Sequence, residues 1–148
     1  MAELKINPGD WVVVCDGAKA LVMENAGNRK TPNLITKEIY QQPDPKTREL
    51  GTDRPGRSFR SVGTARSAME QTDWHEQEEE RFLARLAARL DKAVLAGETK
   101  GVIVAAPPRA LGILRRELSQ HVLQVLRAEI DKDLIKLPAH EIARHLVN

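Results

Sequence analysis

The chain has 148 residues, of which 41% are apolar and 30% charged, and its formal net charge at pH 7 is +2. This length and balance predict one soluble globular domain, spanning residues 1–148, that can bury a core. No run approaches the roughly 18 apolar residues of a membrane span, and the first residues lack the apolar core of a signal peptide. We therefore expect a cytoplasmic protein without membrane partners.

The first forty residues are typical of an antiparallel meander. Residues Trp11–Cys15 form a β-branched run, and Ala18–Glu24 form a second run with alternating character. The Asp16-Gly17 pair between them is a strong hairpin signal. A third strand is predicted at Leu34–Tyr40, so three strands should follow one another along the chain.

Residues 41–73 show no helical or strand periodicity and contain three prolines and three glycines. A loop of this length in a small domain indicates either function or disorder. Its charge is concentrated: between Lys46 and Arg66 there are six bases and two acids, a local charge of about +4. Such a concentration is typical of a phosphate or nucleic-acid contact. The candidate binding residues are Arg54, Gly56, Arg57, Ser58, Arg60 and Arg66.

A long helix is predicted to begin at Asp73, because Asp73 and Glu76 form a capping pattern, and to stop at Gly97. Its apolar residues fall on one face, and a basic row of Arg81, Arg85, Arg89 and Lys92 lies on another. That row is typical of a solvated flank of the helix.

The second half of the chain alternates strands and helices. The sequence predicts a buried strand at Val102–Ala106, a helix opened by Pro107-Pro108, a strand within residues 122–130 and a last helix from Pro138 to about Leu146. A strand, helix and strand in succession imply a right-handed parallel crossover. The predicted fold class is therefore α/β: a mixed sheet of about five strands, with an antiparallel meander first and a parallel crossover later, packed with three to four helices.

Four segments together resemble the bacterial host-attachment protein family. They read VVCDGAKA (13–20), TDRPGRSF (52–59), VAAPPR (104–109) and AEIDKDL (128–134). The resemblance extends from about Asp10 to about Leu146. The family is defined by a genetic link to attachment to host cells, which implies no particular molecular activity.

The order of meander, Gly/Arg loop, long helix and apolar strand is also similar to the middle domain of archaeal and eukaryotic class-1 translation release factors and Pelota. In those factors the loop before the long helix carries a Gly-Gly-Gln tripeptide that reaches the peptidyl-transferase centre. This chain has no Gly-Gly-Gln. The resemblance therefore implies an RNA-facing loop without peptidyl-tRNA hydrolase chemistry, and it points to Arg54, Gly56, Arg57, Ser58 and Arg60.

The leading hypothesis is a non-enzymatic module that binds RNA through the basic loop, with ribosomal RNA as the favoured target. A second hypothesis is a metal-dependent phosphohydrolase or nuclease using Asp16, Asp53 or Asp131. For Asp16 the Asp-Gly turn itself is the favoured explanation, and for Asp131 it is strand termination. A third hypothesis is a protein-interaction factor with an indirect role in attachment.

Other chemistry has less support in the sequence. The only cysteine, Cys15, lies in an apolar run and should pack as a small hydrophobe. The closest histidines, His140 and His145, are five residues apart, which does not suit a zinc site on a helix. We therefore expect no cofactor. The apolar C-terminal helix is a candidate surface for a homo-oligomer.

Overall fold

The computed structural model describes residues 5–42 and 67–147, with backbone alone for 67–73 and Val147. In chain order the elements are β1 (Trp11–Cys15), β2 (Lys19–Asn25), β3 (Leu34–Gln41), α1 (Ser67–Leu95), β4 (Val102–Ala106), α2 (Pro108–Glu117), α3 (Gln120–Val125), β5 (Leu126–Asp131) and α4 (Ala139–Val147).

The five strands form one mixed sheet in the order β3-β2-β1-β4-β5. The pairs β1–β2 and β2–β3 are antiparallel, whereas β1–β4 and β4–β5 are parallel. The predicted α/β fold, with a meander followed by a parallel crossover, is confirmed. Only β2 runs opposite to the other four strands.

Both faces of the sheet are covered, because the central strands β1 and β4 are buried along their whole length. Trp11, Val13 and Val104 face a core that α1, α2 and α3 complete with residues such as Leu83, Leu90 and Leu114. Val12, Val14 and Ile103 face a smaller core completed by the segment around Leu134 and by α4. Unbroken apolar strands are expected where helices lie on both faces.

Helix α4 gives its apolar side to the second core. Ile142 is fully buried, and Leu146 and Ala143 are 5% and 8% exposed. These residues therefore do not supply the dimer surface that the sequence suggested.

Helix α1 begins at Ser67, six residues before the predicted cap at Asp73. Ala68, Met69, Glu70 and Gln71 are good helix formers, and their intrinsic preference extends the helix past the Asp73-x-x-Glu76 pattern. The predicted loop of 41–73 is shortened accordingly, since β3 also includes Gln41. The end of the helix was predicted correctly: Gly97 has a φ of +78°, and the amide of Glu98 donates to the carbonyl of Ala93 at 2.9 Å. This is a Schellman-type ending, which favours glycine.

The predicted strand within 122–130 is also displaced. Residues 120–125 form the short helix α3, and the strand β5 follows at once. Ser119 caps α3 by accepting a hydrogen bond from the Val122 amide at 3.2 Å. A Ser N-cap before six residues is a weaker signal than the stretch Val122–Leu126, in which four of five residues are apolar and favour a strand by composition.

A buried polar network lies at the edge of the sheet where β1 and β4 begin. Asp10 is 1% exposed; its Oδ2 forms an ion pair with Arg127 Nε at 2.8 Å and accepts a hydrogen bond from the Asn7 amide at 2.9 Å. Asn25 donates to the Ile6 carbonyl at 2.9 Å, and Thr99 Oγ1 donates to the Gly9 carbonyl at 3.0 Å. Asp10, Asn25 and Thr99 thus each have polar partners, as burial requires, whereas among the described residues the buried indole N–H of Trp11 has no hydrogen-bond partner.

Candidate functional site

Four strands, β1, β3, β4 and β5, run in the same direction, so their carboxyl ends meet at one edge of the sheet. This carboxyl edge is where open α/β sheets usually bind ligands. The chain leaves it after Gln42, and the described structure resumes at Ser67, the first residue of α1. The predicted binding residues Arg54, Gly56, Arg57, Ser58, Arg60 and Arg66 lie between these points, outside the described residues, as does Asp53.

The start of this segment is attached to the β1–β2 turn. The Gln42 amide donates to the Ala18 carbonyl at 2.8 Å, and Gln42 Nε2 donates to the Gly17 carbonyl at 2.6 Å. The turn itself is held by Asp16, whose Oδ1 accepts from the amides of Ala18 and Lys19, both at 2.8 Å. The chain therefore enters residues 43–66 from a fixed position.

Glu79 on α1 joins three elements at the carboxyl edge. Its Oε1 accepts from Arg109 Nε, in the first turn of α2, at 2.6 Å. A Cβ at Gly17 would lie 1.8 Å from Glu79 Oε2, so the glycine allows the carboxylate to sit against the turn. The Glu79 carboxylate raises the pKa of the Arg109 guanidinium. Sequence reasoning missed this pair because its members are thirty residues apart.

The first turns of helix α1, which begins at Ser67, project beyond the carboxyl edge of the sheet. None of the residues from Trp74 to Arg81 is buried, and the first buried side chain from Trp74 onward is Phe82. At 1.5 Å per residue, Ser67 lies about 18 Å farther along the helix axis than Glu79. Residues 43–66 are thus attached to the sheet at one end and to a projecting helix at the other.

The two elements that flank residues 43–66 are also clasped to each other. Arg89 of α1 donates to Glu38 of β3 through Nε at 3.0 Å and Nη2 at 2.5 Å, and to Glu98 at 3.0 Å. Tyr40 also donates to the Glu38 carboxylate. The guanidinium lies 5.4 Å from the centroid of the buried Trp11 ring. Arg89 is the main cause of a lowered Glu38 pKa.

The candidate metal ligands are not brought together. Asp16 is engaged by its own turn, and Asp131 is the exposed last residue of β5. Within residues 5–42 and 67–147 there is no group of three histidine, cysteine, aspartate or glutamate side chains that could hold a metal ion. The metal-dependent hypothesis would therefore depend on Asp53, outside the described residues.

Two nucleophiles have structural roles. Burial raises the pKa of the Cys15 thiol to about 12, which keeps the sulfur in its unreactive protonated form. Ser119 and His121 both contact Asp91 Oδ1, at 2.5 and 3.2 Å. A hydrolytic triad needs the histidine between the serine and the carboxylate, so this arrangement connects α1 to α3 instead of activating Ser119.

The described elements define an α/β protein with one mixed five-stranded sheet covered by helices on both faces. The model of a protein family described as "Protein required for attachment to host cells" matches residues 11–146. The chain belongs to this family, as the four sequence segments predicted. No curated protein matches the chain.

Among solved structures, the chain is similar to the crystal structure of an archaeal translation termination factor, aRF1, with a TM-score of 0.46 and 14% identity. The match covers 81% of this chain and 29% of that factor, so the chain spans less than a third of the factor's length. This similarity is weak and concerns the fold alone. No helix in the described part of the chain is long and apolar enough to cross a membrane.

Proposed function

We propose that the protein is an RNA-binding module, with ribosomal RNA as its target, and that the basic segment between Lys46 and Arg66 is its contact surface. The observation that carries the proposal is the local charge of about +4 in a chain whose net charge is +2. Guanidinium groups bind phosphate oxygens through paired, charge-assisted hydrogen bonds. With only Phe59 as an aromatic in the segment, the contact would be made mainly to the RNA backbone.

The described residues on either side of the segment support this proposal. Gln42, before the segment, is fixed at the carboxyl edge to the β1–β2 turn by two hydrogen bonds, and Ser67, after it, begins the projecting end of α1. A rigid attachment reduces the conformational freedom that a binding loop loses when it contacts a partner. Attachment to host cells, which defines the family, would then be an indirect result of RNA binding inside the cell.

Co-sedimentation with ribosomes over a salt series tests the proposal. About four phosphate contacts to single-stranded RNA predict a log-log slope of affinity against salt near −3. The double variant Arg54→Glu, Arg57→Glu should reduce both the affinity and the slope. Arg116→Glu is the matched control, because Arg116 is exposed on α2 and its helix ends at the opposite side of the sheet.

If the unmodified protein shows no salt-sensitive affinity for ribosomes or RNA, the proposal is wrong. It is also wrong if the Arg54 and Arg57 variant binds as well as the Arg116 variant, because the segment would then not be the contact surface.

A further inference from the structure

Strand β3 is an edge of the sheet, and no described strand pairs with its outer side. It carries two large exposed apolar side chains, Ile35 at 49% and Ile39 at 61% exposure. Exposed edges of this length are liable to pair with another strand, and proteins usually protect them. The pattern along β3 suggests which strand fits it.

The hydrogen bonds at the two ends of β3 show which backbone groups point outward. The Gln42 amide donates to Ala18 at one end, and the Asn33 carbonyl accepts from Ala26 at the other. In an antiparallel ladder, hydrogen-bonded and non-hydrogen-bonded residue pairs alternate. Outside the register shift, the pairing of β3 with β2 therefore shows whether the amide and carbonyl of each β3 residue point toward β2 or away from it. The residues whose amides and carbonyls point away from β2 are Leu34, Thr36, Ile39 and Gln41.

A register shift opposite Val22 and Met23 leaves Lys37 as an extra residue in β3. The extra residue interrupts the alternation of faces along the strand. As a result, one face of the sheet carries the even-numbered Leu34 and Thr36 together with the odd-numbered Ile39 and Gln41. Leu34 is part of the second core, and the partners of Thr36 and Ile39, Met23 and Leu21, contact that core. On the other face, Lys37 lies 5.5 Å from the Trp11 ring centroid and Tyr40 packs on the first core.

This pattern is self-complementary. We propose that β3 pairs antiparallel with β3 of a second copy of the chain, around a two-fold axis between Lys37 and Glu38. Lys37 of each copy then faces Glu38 of the other copy. Thr36 faces Ile39, Ile35 faces Tyr40 and Leu34 faces Gln41, and each pair shares a face. The two five-stranded sheets become one continuous sheet.

Neighbouring registers fit less well. A shift by one residue in either direction places Lys37 opposite Lys37 or Glu38 opposite Glu38, and like charges directly opposite are destabilising. The same shift places Ile35 opposite a residue of the other face. The bulge, which looks like a defect of the β2–β3 pairing, is thus what makes the outer edge match a copy of itself.

The oligomeric state of the purified chain tests the proposal. Sedimentation equilibrium over a wide concentration range should show a dimer. Ile39→Pro removes an amide that points outward and leaves the bonds to β2 in place, so it should give a monomer with an unchanged circular dichroism spectrum. Leu95→Ser is the control, because Leu95 is equally exposed, at 61%, but lies at the end of α1. It should remain dimeric.

A disulfide tests the register and does not depend on a proline variant folding. Opposite residues of a bonded antiparallel pair have Cα atoms about 5.5 Å apart, which suits a disulfide. The double variant Thr36→Cys, Ile39→Cys should therefore form a covalent dimer on mild oxidation. Ile39→Cys alone should not, since residue 39 does not face itself across the axis.

A monomer at every concentration, a dimer that survives Ile39→Pro, or a double-cysteine variant that does not cross-link would each overturn the proposal. Recruitment of a strand from another protein by a monomeric chain would overturn it too. RNA binding is measured separately, so loss of either proposal leaves the other in place.

Discussion

At the scale of single residues, Gly101 has a role that its sequence context does not indicate. A Cβ at this position would lie 2.2 Å from Arg127 Nε and 2.5 Å from Asp10 Oδ1. The glycine therefore makes room for the ion pair that satisfies the buried Asp10 carboxylate. Removing one partner of a buried ion pair is costly because it leaves an uncompensated charge.

Gly101→Ala should lower the free energy of unfolding by about 1–3 kcal/mol, because the added methyl group pushes Arg127 away from Asp10. Urea denaturation measures the change. Gly112→Ala is the matched control: its Cβ would meet nothing within 4 Å and it lies inside α2. That change should instead stabilise the protein by about 0.5–1 kcal/mol. Equal effects of the two substitutions would contradict this role for Gly101.

Cys15 should not react with a thiol reagent at neutral pH while the protein is folded. Burial raises its pKa to about 12, and the side chain is fully buried in the first core. Labelling with a chromogenic disulfide should proceed at the rate of unfolding and become fast in denaturant. Rapid labelling of the native protein would show that β1 is more accessible than the structure indicates.

At the scale of elements, the clasp between α1 and β3 contributes stability that depends on pH. Arg89 lowers the pKa of Glu38, so folding favours the ionised carboxylate. A group whose pKa is lowered on folding contributes fully above its unfolded pKa, about 4.3 for glutamate, and loses that contribution as pH falls through the folded value. The clasp should therefore weaken in acid.

Glu38→Gln should lower the free energy of unfolding by about 1–2 kcal/mol at pH 7, because Arg89 loses its charged partner. The difference between the two proteins should shrink as pH falls below about 4. Thermal melts between pH 3 and 7 would measure it. A difference that stays constant with pH would mean that the carboxylate is not ionised in the folded protein or contributes only through packing.

The elements also show where sequence patterns are informative. Apolar runs and Asp-Gly predicted β1 and β2 to within a residue or two, since a buried strand needs continuous apolar residues and a tight turn needs particular ones. The start of α1 was missed because its first turns project beyond the sheet, where no apolar stripe is required. Helix α3 was missed because an apolar run of that length fits a strand equally well.

At the scale of the whole molecule, the mixed sheet, with an antiparallel meander and then a parallel crossover, was predicted from the succession of strands and helices, whereas its strand order was not. The sequence did not predict the contacts that organise the carboxyl edge. Glu79 reaches Arg109 across thirty residues, and Gln42 reaches Gly17 across twenty-five. Such pairs form only when the elements pack together, and the packing of distant elements cannot be predicted from the residue pattern of a single sequence. The basic residues from Arg54 to Arg66 stay a prediction from charge.

Because β1, β3, β4 and β5 run in the same direction, the buried polar network and the insertion point of residues 43–66 lie at opposite edges of the sheet. The buried network of Asp10, Asn25, Thr99 and Arg127 lies at one edge of the sheet, and residues 43–66 are inserted at the other. Mutations in the inserted segment can therefore accumulate without disturbing that network. The sequence of this segment can therefore diverge among members of the family that keep the same scaffold, since loops tolerate more variation than the elements they connect.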